Sequence, residues 1–366
     1  MKIAFLIHNL SSGGSERATC ALANYFYCKN NDVTIFTIDG NASFYPLEEG
    51  ITKAFLNLPS IPKGSPAKKV IAILKRYLAI RKNVKALSPQ ILIGMSHIMS
   101  FYAAASTMFT PIKSIGTERS NPYIYQSSKP FVFLRRLSSR IADGFVHQTK
   151  RASMFFPKST MKKSIVIPNA VFNPLVSGIE FPALRDKTIT AMGRLNYAKG
   201  FDILIEAFSR IEGQVKEYTL VIYGEGDEKE NIKKLIETKK LAGRVIMPGA
   251  VPEAIINISK SSVFVLSSRF EGMPNALMEA MACGVPCVST RCPMGPEELI
   301  NDGVNGILVP VENAGAIADA IIKVINNKDL ADELSKNAYQ IRYTHSVGSI
   351  GTKWLDYCQS VINKNN

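Results

Sequence analysis

The amino-acid sequence predicts an α/β protein built from two successive, doubly wound parallel sheets, and three observations support this. The chain has 366 residues, which corresponds to about two domains at roughly 100–200 residues each. Short apolar runs alternate with amphipathic stretches, as in βαβ units whose strands are buried on both faces. The same alternation starts again after residues 168–182, a segment rich in Asn, Pro and Gly.

The first series of elements begins with an apolar run at the N-terminus and a helix that starts at a double glycine. We predict its strands at 3–7, 33–38, 90–93, 112–115, 145–147 and 164–167, and its helices at 15–28, 67–87, 98–108, 130–141 and 149–156. We predict the strands of the second series at 188–192, 220–223, 245–247, 263–266, 286–289 and 306–309, and its helices at 200–211, 228–240, 275–283, 313–326 and 329–342. The resulting boundaries are an N-terminal domain at 1–170, a C-terminal domain at 171–345, and a segment at 346–366 whose helix packs back toward the N-terminal domain.

The composition excludes several classes of protein. Apolar residues make up 46% and charged residues 20% of the chain, which is typical of a globular protein and not of a disordered, collagen-like or coiled-coil chain. No apolar run reaches the roughly 18 residues of a membrane-spanning helix. The N-terminal apolar run is too short for a signal peptide, so we expect a cytoplasmic protein.

Positive charge is concentrated in the first half of the chain. Residues 1–170 contain 23 Lys and Arg against 7 Asp and Glu, whereas residues 171–366 contain 21 against 23. A basic domain indicates a polyanionic partner: nucleic acid, an anionic membrane surface or a phosphate-bearing substrate. No zinc finger, RNA-recognition aromatic motif or KH-type Gly-x-x-Gly clamp is evident, so nucleic acid is the least favoured of the three.

Two motifs at predicted strand ends contain paired glycines. Gly13 and Gly14 follow the first strand and open the first helix, where free backbone N–H groups and the lack of side chains suit a phosphate. Gly224 and Gly226, in Tyr-Gly-Glu-Gly, leave room for a flat base or a ribose. Neither motif matches the G-x-G-x-x-G dinucleotide fingerprint, and a plain tight turn remains the alternative for both.

Two cations follow another predicted strand end. Gly193-Arg194 is followed by Lys199 at the start of the next helix. Arg194 can bind a diphosphate through two N–H donors, and Lys199 can supply a compact charge. The alternative interpretation is a pair of solvated cations on a loop.

The segment 270–286 carries the most specific pattern. Glu271 precedes a predicted helix that starts near Pro274 and ends at Gly284, and Glu279 lies inside that helix among apolar neighbours. A carboxylate in such surroundings is costly unless it binds something. Carboxylates can accept hydrogen bonds from sugar hydroxyls, while a helix start attracts phosphate. We therefore expect a segment that binds a sugar and a phosphate and comprises Gly272, Met273, Pro274 and Asn275.

These motifs together resemble family 4 retaining glycosyltransferases over essentially the whole chain. The order is Gly-Gly-Ser-Glu-Arg, Gly-Arg-Leu with the following Lys, Tyr-Gly-Glu-Gly, and Glu-x7-Glu. The resemblance implies the GT-B fold, in which two Rossmann-like domains face a central cleft. It implies that Glu271 contacts the donor sugar, that Glu279 contacts the ribose, and that Arg194 and Lys199 hold the donor diphosphate. It further implies that Gly14 approaches the donor phosphate or the acceptor.

The resemblance also bears on the acceptor. The run at 292–300 is similar to that of members acting on lipid-linked oligosaccharides and polysaccharide repeat units, including bacterial N-acetylgalactosamine transferases. Many members place a His after the strand that corresponds to 112–115, but this chain has Glu118 and Arg119 there. His97, after the preceding strand, is the other candidate for that role. Asn169 matches the crossover between the domains.

Residues 68–87 predict a basic amphipathic helix. Apolar residues recur at helical spacing, and the remaining positions carry cations that include Lys68, Lys69, Lys75 and Arg76. Such a helix is typical of proteins that bind membrane surfaces, where each cation contributes on the order of 1 kcal/mol near an anionic leaflet. Similar family members use such a helix to hold the diphosphate of the acceptor. The alternative is a helix packed on the core with one solvated face.

The sequence therefore predicts a retaining transferase that moves GalNAc, GlcNAc, Gal or Glc from a UDP-sugar to a polyprenyl diphosphate-linked glycan. We expect it to be peripheral on the inner face of the cytoplasmic membrane. We expect no metal or other cofactor, because the chain contains no Asp-x-Asp and two cations are available to stabilise the leaving diphosphate. The alternatives are a nucleotide-sugar epimerase on the same fold and a non-catalytic scaffold at the membrane surface.

Overall fold

The computed structural model describes residues 1–11, 13–40, 42–62, 64–123, 129–172, 174–181 and 184–364. It divides into two compact units. Unit 1 comprises Met1–Phe172 and Val347–Asn366, and unit 2 comprises Asn173–Ser346. The chain thus leaves unit 1 within the segment predicted to be a linker and returns to it for the C-terminal helix.

Unit 1 is built on a seven-stranded sheet whose neighbouring strands are all parallel. Its strands are β1 (Lys2–Ile7), β2 (Asp32–Thr37), β3 (Thr52–Phe55), β4 (Ile91–Gly94), β5 (Lys113–Glu118), β6 (Gly144–His147) and β7 (Ser164–Val166), in the order β3-β2-β1-β4-β5-β6-β7. Its helices are α1 (Gly14–Cys28), α2 (Pro66–Leu87), α3 (His97–Thr107), α4 (Lys129–Ile141), α5 (Lys150–Ser153), α6 (Lys158–Met161) and the C-terminal α15 (Val347–Asn363).

Helices cover both faces of this sheet, as the continuous apolar strands require. Alternate residues of β1 divide between two hydrophobic cores: Ile3 and Phe5 belong to the core that includes α1 and α15, and Ala4 and Leu6 belong to the core that includes α2 and α3. Trp354 of α15 is almost completely buried in the first core. The C-terminal helix is therefore an integral part of unit 1.

Unit 2 is built on a six-stranded sheet, and its neighbouring strands are also parallel. Its strands are β8 (Asp186–Met192), β9 (Thr219–Tyr223), β10 (Val245–Gly249), β11 (Ser261–Leu266), β12 (Cys287–Thr290) and β13 (Ile307–Val309), in the order β10-β9-β8-β11-β12-β13. Its helices are α7 (Phe201–Ile211), α8 (Lys229–Thr238), α9 (Ala254–Ser259), α10 (Asn275–Ala282), α11 (Pro296–Leu299), α12 (Ala314–Asn326), α13 (Lys328–Tyr339) and α14 (Ile341–Thr344). Short 3-10 turns lie at Pro174–Gly178 and Tyr197–Lys199.

The sequence-based element assignment missed four short elements, which are β3, α6, α9 and α11. Strand β3 was not predicted because its sequence, Thr-Lys-Ala-Phe, is polar and mostly exposed at the sheet edge. Helices α9 and α11, of six and four residues, are too short to show a periodic pattern. The helix predicted at 149–156 ends earlier, at Ser153, and the unpredicted α6 follows at Lys158 with Pro157 as its N-cap residue. Across the described ranges, no helix is both long enough and apolar enough to span a membrane.

Candidate active site

The sheet of unit 2 has its topological switch point between β8 and β11. From β8 the chain builds outward through β9 and β10 on one side, and β11 to β13 lie on the other. Doubly wound sheets bind ligands at such a point, beyond the carboxyl ends of the strands. The loops that follow β8 and β11 start here, and they carry Arg194, Lys199 and Glu271.

Lys199 and Glu271 form an ion pair at this edge of the sheet. The Lys199 Nζ lies 2.6 Å from the Glu271 Oε1, and the buried Ser268 hydroxyl donates to the same oxygen at 2.6 Å. The side chains of Lys199 and Glu271 are 21% and 8% exposed, so the pair is partly open to solvent. Two donors on one carboxylate oxygen fix the orientation of the carboxyl group. The structure thus brings together the predicted phosphate-binding cation and the predicted sugar-binding carboxylate.

Arg194 lies on the same loop as Lys199, directly after β8. Its side chain is exposed and, within the described part of the chain, makes no ion pair. The guanidinium is therefore open to an anionic ligand. Gly200 follows Lys199 with a φ of +61°, and a Cβ at this position would lie 2.3 Å from the Ser267 carbonyl oxygen. The glycine lets the loops after β8 and β11 pack against each other at the residue that follows Lys199.

Gly224 and Gly226 serve loop packing, which is a different reason for small residues from the one inferred from the sequence. A Cβ at Gly224, where φ is +143°, would lie 1.9 Å from the carbonyl oxygen of Gly193. A Cβ at Gly226 would lie 2.3 Å from the carbonyl oxygen of Leu195. The neighbouring backbone therefore fills the space that the missing side chains leave, and ligand binding by the two glycines stays a prediction.

Glu279 lies on α10, which begins at Asn275 after Pro274 as the N-cap residue. Its side chain is almost completely buried. Burial, with the Glu279 carboxylate as a further cause, raises the pKa of the Cys283 thiol to about 12. The carboxylate is thus close to that thiol, one helical turn further along α10. Gly295 packs against the predicted donor-binding segment. A Cβ at Gly295 would lie 2.4 Å from the Gly272 carbonyl oxygen.

Sequence reasoning missed the residues that support the Lys199–Glu271 pair. Ser268 could have been found from its position three residues ahead of Glu271, where a turn brings a side chain back to the carboxylate. Cys292 is fully buried, and burial, with Glu271 as a further cause, raises the pKa of its thiol to about 12. Arg269 binds Asp202 and Glu312, which are distant in sequence, so no local spacing indicates its role.

Unit 1 has an equivalent switch point between β1 and β4. Gly13 is the N-cap residue of α1, and Gly14 is its first residue. A Cβ at Gly13 would lie 2.2 Å from the Glu16 Oε2, so the Glu16 side chain occupies the space beside this glycine. His97 is the first residue of α3. Burial, with the charge of Arg135 as a further cause, lowers the pKa of His97 to about 4, so the imidazole is neutral at pH 7.

The prediction that Glu118 contacts the acceptor is wrong. Its side chain is 1% exposed, and its Oε2 lies 3.1 Å from the Nε of the equally buried Arg135. Its other oxygen accepts hydrogen bonds from the backbone N–H and the hydroxyl of Ser120, the latter at 2.7 Å. Both oxygens of Glu118 are therefore occupied by protein partners, and Glu118 forms a structural ion pair with Arg135.

Arg119 and Asn169 come together at this edge of unit 1. The Nη2 of Arg119 donates to the Oδ1 of Asn169 at 2.7 Å, and the same oxygen accepts from Gln148 at 2.6 Å. Burial lowers the pKa of Arg119 to about 10, with the Glu16 carboxylate acting in the opposite direction. The guanidinium is therefore charged at pH 7, and it is held by the Asn169 amide, which Gln148 in turn fixes.

Helix α2 differs from a fully core-packed amphipathic helix. Ile80 and Val84 are completely buried, but the first half of the helix has exposed apolar and basic side chains together. The exposed side chains between 68 and 78 are Lys68, Lys69, Val70, Ile71, Ile73, Leu74, Lys75 and Leu78. The placement of Arg76 among the membrane-facing cations is wrong, because this side chain is buried and donates twice to the carbonyl oxygen of Pro59, at 3.0 and 2.6 Å.

Comparison with known proteins gives consistent results for the whole chain and for unit 2. Residues 179–341 match the family model described as "Glycosyl transferases group 1". A relative from Campylobacter jejuni is named GalNAc-α-(1→4)-GalNAc-α-(1→3)-diNAcBac-PP-undecaprenol α-1,4-N-acetyl-D-galactosaminyltransferase. It is 26% identical to this chain over 99% of both proteins. A second C. jejuni relative is named N-acetylgalactosamine-N,N'-diacetylbacillosaminyl-diphospho-undecaprenol 4-α-N-acetylgalactosaminyltransferase. It is 26% identical over 90% of this chain and 91% of its own length.

Solved structures confirm the predicted architecture of two Rossmann-like sheets. Alr3699/HepE from Anabaena, in complex with UDP and glucose, superposes with a TM-score of 0.80 at 18% identity, covering 98% of this chain and 100% of that chain. At that identity the likeness concerns the fold, whereas the family model and the two full-length relatives concern the activity. The chain is therefore a glycosyltransferase with a group 1 domain in unit 2 and the GT-B fold.

Proposed function

We propose that the protein is a retaining glycosyltransferase that moves a sugar from a UDP-sugar to a glycan carried on a polyprenyl diphosphate. The observation that carries this proposal is the 2.6 Å pair of Lys199 and Glu271 beside the exposed Arg194 at the switch point of unit 2. The names of the two C. jejuni relatives, which act on undecaprenol-linked glycans, support this class of acceptor. The donor sugar in this proposal is GalNAc, GlcNAc, Gal or Glc.

The chemistry follows from where charge develops during the transfer. The bond between the anomeric carbon and the diphosphate breaks, and negative charge builds on the departing phosphate. Arg194 and Lys199 stabilise that charge, which is electrostatic stabilisation of the transition state. The Glu271 carboxylate, held by Lys199 and Ser268, orients the donor sugar by accepting hydrogen bonds from its hydroxyls. The acceptor hydroxyl attacks from the face that the diphosphate leaves, and the donor phosphate takes up its proton.

The nucleoside is held, in this proposal, by the segment that includes Glu279. Its carboxylate accepts hydrogen bonds from the ribose hydroxyls, and the backbone N–H groups at the start of α10 attract the phosphates. The position of Glu279 on α10, five residues after Pro274 at the start of that helix, supports this role.

We further propose that transfer requires neither a metal nor an organic cofactor, because Arg194 and Lys199 supply the positive charge that a divalent cation would supply. Initial rates should therefore be the same in buffer that contains EDTA as in buffer that contains Mg²⁺ or Mn²⁺. A rate that EDTA abolishes and Mg²⁺ restores would contradict this part of the proposal.

Helix α2 supports an association with an anionic membrane surface. Val70, Ile71, Leu74 and Leu78 are each more than half exposed, although such side chains are usually buried. Exposed lysines lie next to them in the sequence, at 68, 69 and 75, and α2 contains no acidic residue. Apolar side chains that enter the lipid headgroup region, with cations beside them, are the composition of an interfacial helix. Such a helix would bring the enzyme to a lipid-linked acceptor and would place cations near the acceptor diphosphate.

A screen for transfer tests the proposed function directly. Wild-type protein is incubated with each of the four UDP-sugars and a short polyprenyl-diphosphate glycan, and products are detected by mass. We expect a mass increase of one sugar with one donor, and loss of that increase in Lys199→Gln. Lys187→Gln is the matched control, because Lys187 pairs with Glu217 at the amino end of β8 and should not affect transfer. Isomerisation of the UDP-sugar without acceptor would indicate the epimerase instead.

A further inference from the structure

Arg269, which follows β11, is the most extensively bonded side chain near the candidate site. Its Nη1 donates to the Asp202 Oδ1 at 2.8 Å, and its Nη2 donates to the Asp202 Oδ2 at 2.6 Å. Its Nε donates to the Glu312 Oε1 at 2.5 Å. Its Nη1 also donates to the Tyr197 carbonyl oxygen at 2.8 Å, and its guanidinium stacks on the Tyr197 ring at 4.1 Å. All three nitrogen atoms of this guanidinium therefore donate hydrogen bonds to protein acceptors.

These contacts join the Arg269 loop to two other segments that are far from it in sequence, residues 197–202 and Glu312. Asp202 is in the first turn of α7, Tyr197 begins the 3-10 turn that ends at Lys199, and Glu312 precedes α12. The Arg269 side chain is only 8% exposed, whereas those of Asp202 and Glu312 are about half exposed. The guanidinium is thus enclosed by its partners, and it holds the loop after β11 against the start of α7.

The same two loops carry the Lys199–Glu271 pair. The backbone N–H of Arg269 donates to the Ala198 carbonyl oxygen at 2.8 Å. The hydroxyl of Ser267 donates to the Lys199 carbonyl oxygen at 3.0 Å. Glu271 is two residues beyond Arg269 on one loop, and Lys199 is two residues beyond Tyr197 on the other. Arg269 therefore joins the two backbones within two residues of Lys199 and Glu271.

We infer that Arg269 is a positioning residue for transfer: its fork to Asp202 and its stacking on Tyr197 set the distance between the Lys199 ammonium and the Glu271 carboxylate. The inference rests on the proposed function of that pair. Preorganised charge is effective only when its geometry is fixed before the reaction, and a displacement of 1 Å can cost about 100-fold in rate. Because Lys199 acts on charge that grows during bond cleavage, a looser pair should lower kcat more than it raises the KM for the donor.

The alternative to positioning is a purely structural role, and unit 2 provides a matched control for it. Arg244 precedes β10 at the amino end of the same sheet. It pairs with Glu212 at 3.1 Å, donates to the carbonyl oxygens of Val215 and Tyr218, and stacks on Phe208. Its replacement removes a comparable set of contacts, but at the opposite edge from Lys199. A lysine at either position keeps the positive charge and loses the planar fork.

The first readout is kinetic. In Arg269→Lys we expect kcat to fall by about 100-fold and the KM for the UDP-sugar to change by less than about threefold. Arg244→Lys should keep the wild-type kcat at a temperature where both variants are folded. An Arg269→Lys enzyme with wild-type kcat, or an equal loss of kcat in both variants, would overturn the inference.

The second readout does not require transfer. Amine acetylation by acetic anhydride, measured on the peptide that contains Lys199, reports whether the ammonium is still paired. We expect this acetylation to be about tenfold faster in Arg269→Lys than in wild type, in line with the roughly 1.4 kcal/mol that a tenfold change represents, and unchanged in Arg244→Lys. An unchanged rate in Arg269→Lys refutes the inference even if the wild-type protein transfers no sugar. If Arg269→Lys does not fold, Asp202→Asn is used instead. It removes the negative charge that the Arg269 guanidinium binds, at a half-exposed position. Faster acetylation of Lys199 would again support the inference, and an unchanged rate would refute it.

Discussion

His147, at the end of β6, should make the stability of unit 1 depend on pH. The side chain is completely buried between the rings of Phe145 and Phe156, whose centroids lie 5.0 and 4.8 Å from that of the imidazole. Among the described residues, neither ring nitrogen has a hydrogen-bond partner. Burial lowers the pKa of His147 to about 4, whereas a histidine in an unfolded chain titrates near 6.5. The folded protein therefore keeps the imidazole neutral where the unfolded chain would protonate it.

The sign and size of the effect follow from linkage. Below pH 6.5 the unfolded state binds the proton and the folded state does not, so stability falls as the pH falls, until the folded state also protonates near pH 4. A difference of about 2.5 pKa units corresponds to about 3 kcal/mol over the full range, of which about 2 kcal/mol is lost between pH 7 and pH 5. That is a large share of the stability of a typical domain.

The test uses the single tryptophan of the chain. Trp354 is buried in the core of unit 1, so its fluorescence during urea unfolding reports on this unit. We compare wild type with His147→Met, which has a similar volume and no titratable group. The free-energy difference between the two proteins should grow by about 2 kcal/mol in favour of the variant between pH 7 and pH 5. A difference that is the same at both pH values would refute the reasoning. His97 is present in both proteins, so its own titration cancels.

Three further predictions concern the candidate site and α2, the proposed docking helix for the membrane. Glu279→Ala should weaken UDP binding, because the ribose hydroxyls lose the carboxylate that accepts their hydrogen bonds. An unchanged affinity by calorimetry would contradict that role. Ser268→Ala removes one hydrogen bond to the charged Glu271, worth about 1.5–3 kcal/mol, so kcat should fall by about 10- to 100-fold, and a loss below twofold would show that Lys199 alone orients the carboxylate. Replacing Lys69 and Lys75 together by Glu should reduce binding to anionic liposomes and leave transfer to a short soluble acceptor intact. Equal losses in the two assays would count against a docking helix.

The sequence alone was sufficient to predict the features that depend on local pattern. Continuous apolar strands between amphipathic helices predict two parallel sheets, and that prediction is confirmed. Lys199 and Glu271 could be assigned to one site because both follow strands next to a switch point, and the ends of parallel strands meet at one edge. The distance between them depends on how two loops pack. That packing uses Gly200 and Ser267, which have no special spacing in the sequence.

The errors arise where one residue type has two possible environments. Glu118 and Arg119 are adjacent and were both expected at the acceptor, but successive side chains at a strand end point to opposite sides. One of them is buried against Arg135, and the other reaches Asn169. The same ambiguity affects Arg269, because nothing in its local sequence distinguishes it from a surface cation. Its partners are 67 and 43 residues away, so only the tertiary structure reveals them.

The basic half of the chain also shows that net charge overestimates the charge available to a partner. Arg76 binds the Pro59 carbonyl oxygen, and Arg81, further along the same helix, binds those of Ser106 and Met108. Arginine suits such sites, because its planar fork can satisfy several acceptors at once. The exposed cations of α2 are all lysines, whose flexible chains let the ammonium stay solvated while the stem covers apolar surface. The two arginines thus fix the middle of α2 to unit 1, and the exposed apolar side chains of the helix lie between Val70 and Leu78. Charge reversal at the lysines should therefore change membrane binding without unfolding the helix, whereas the same change at Arg76 should destabilise unit 1, and comparing the two separates docking from folding.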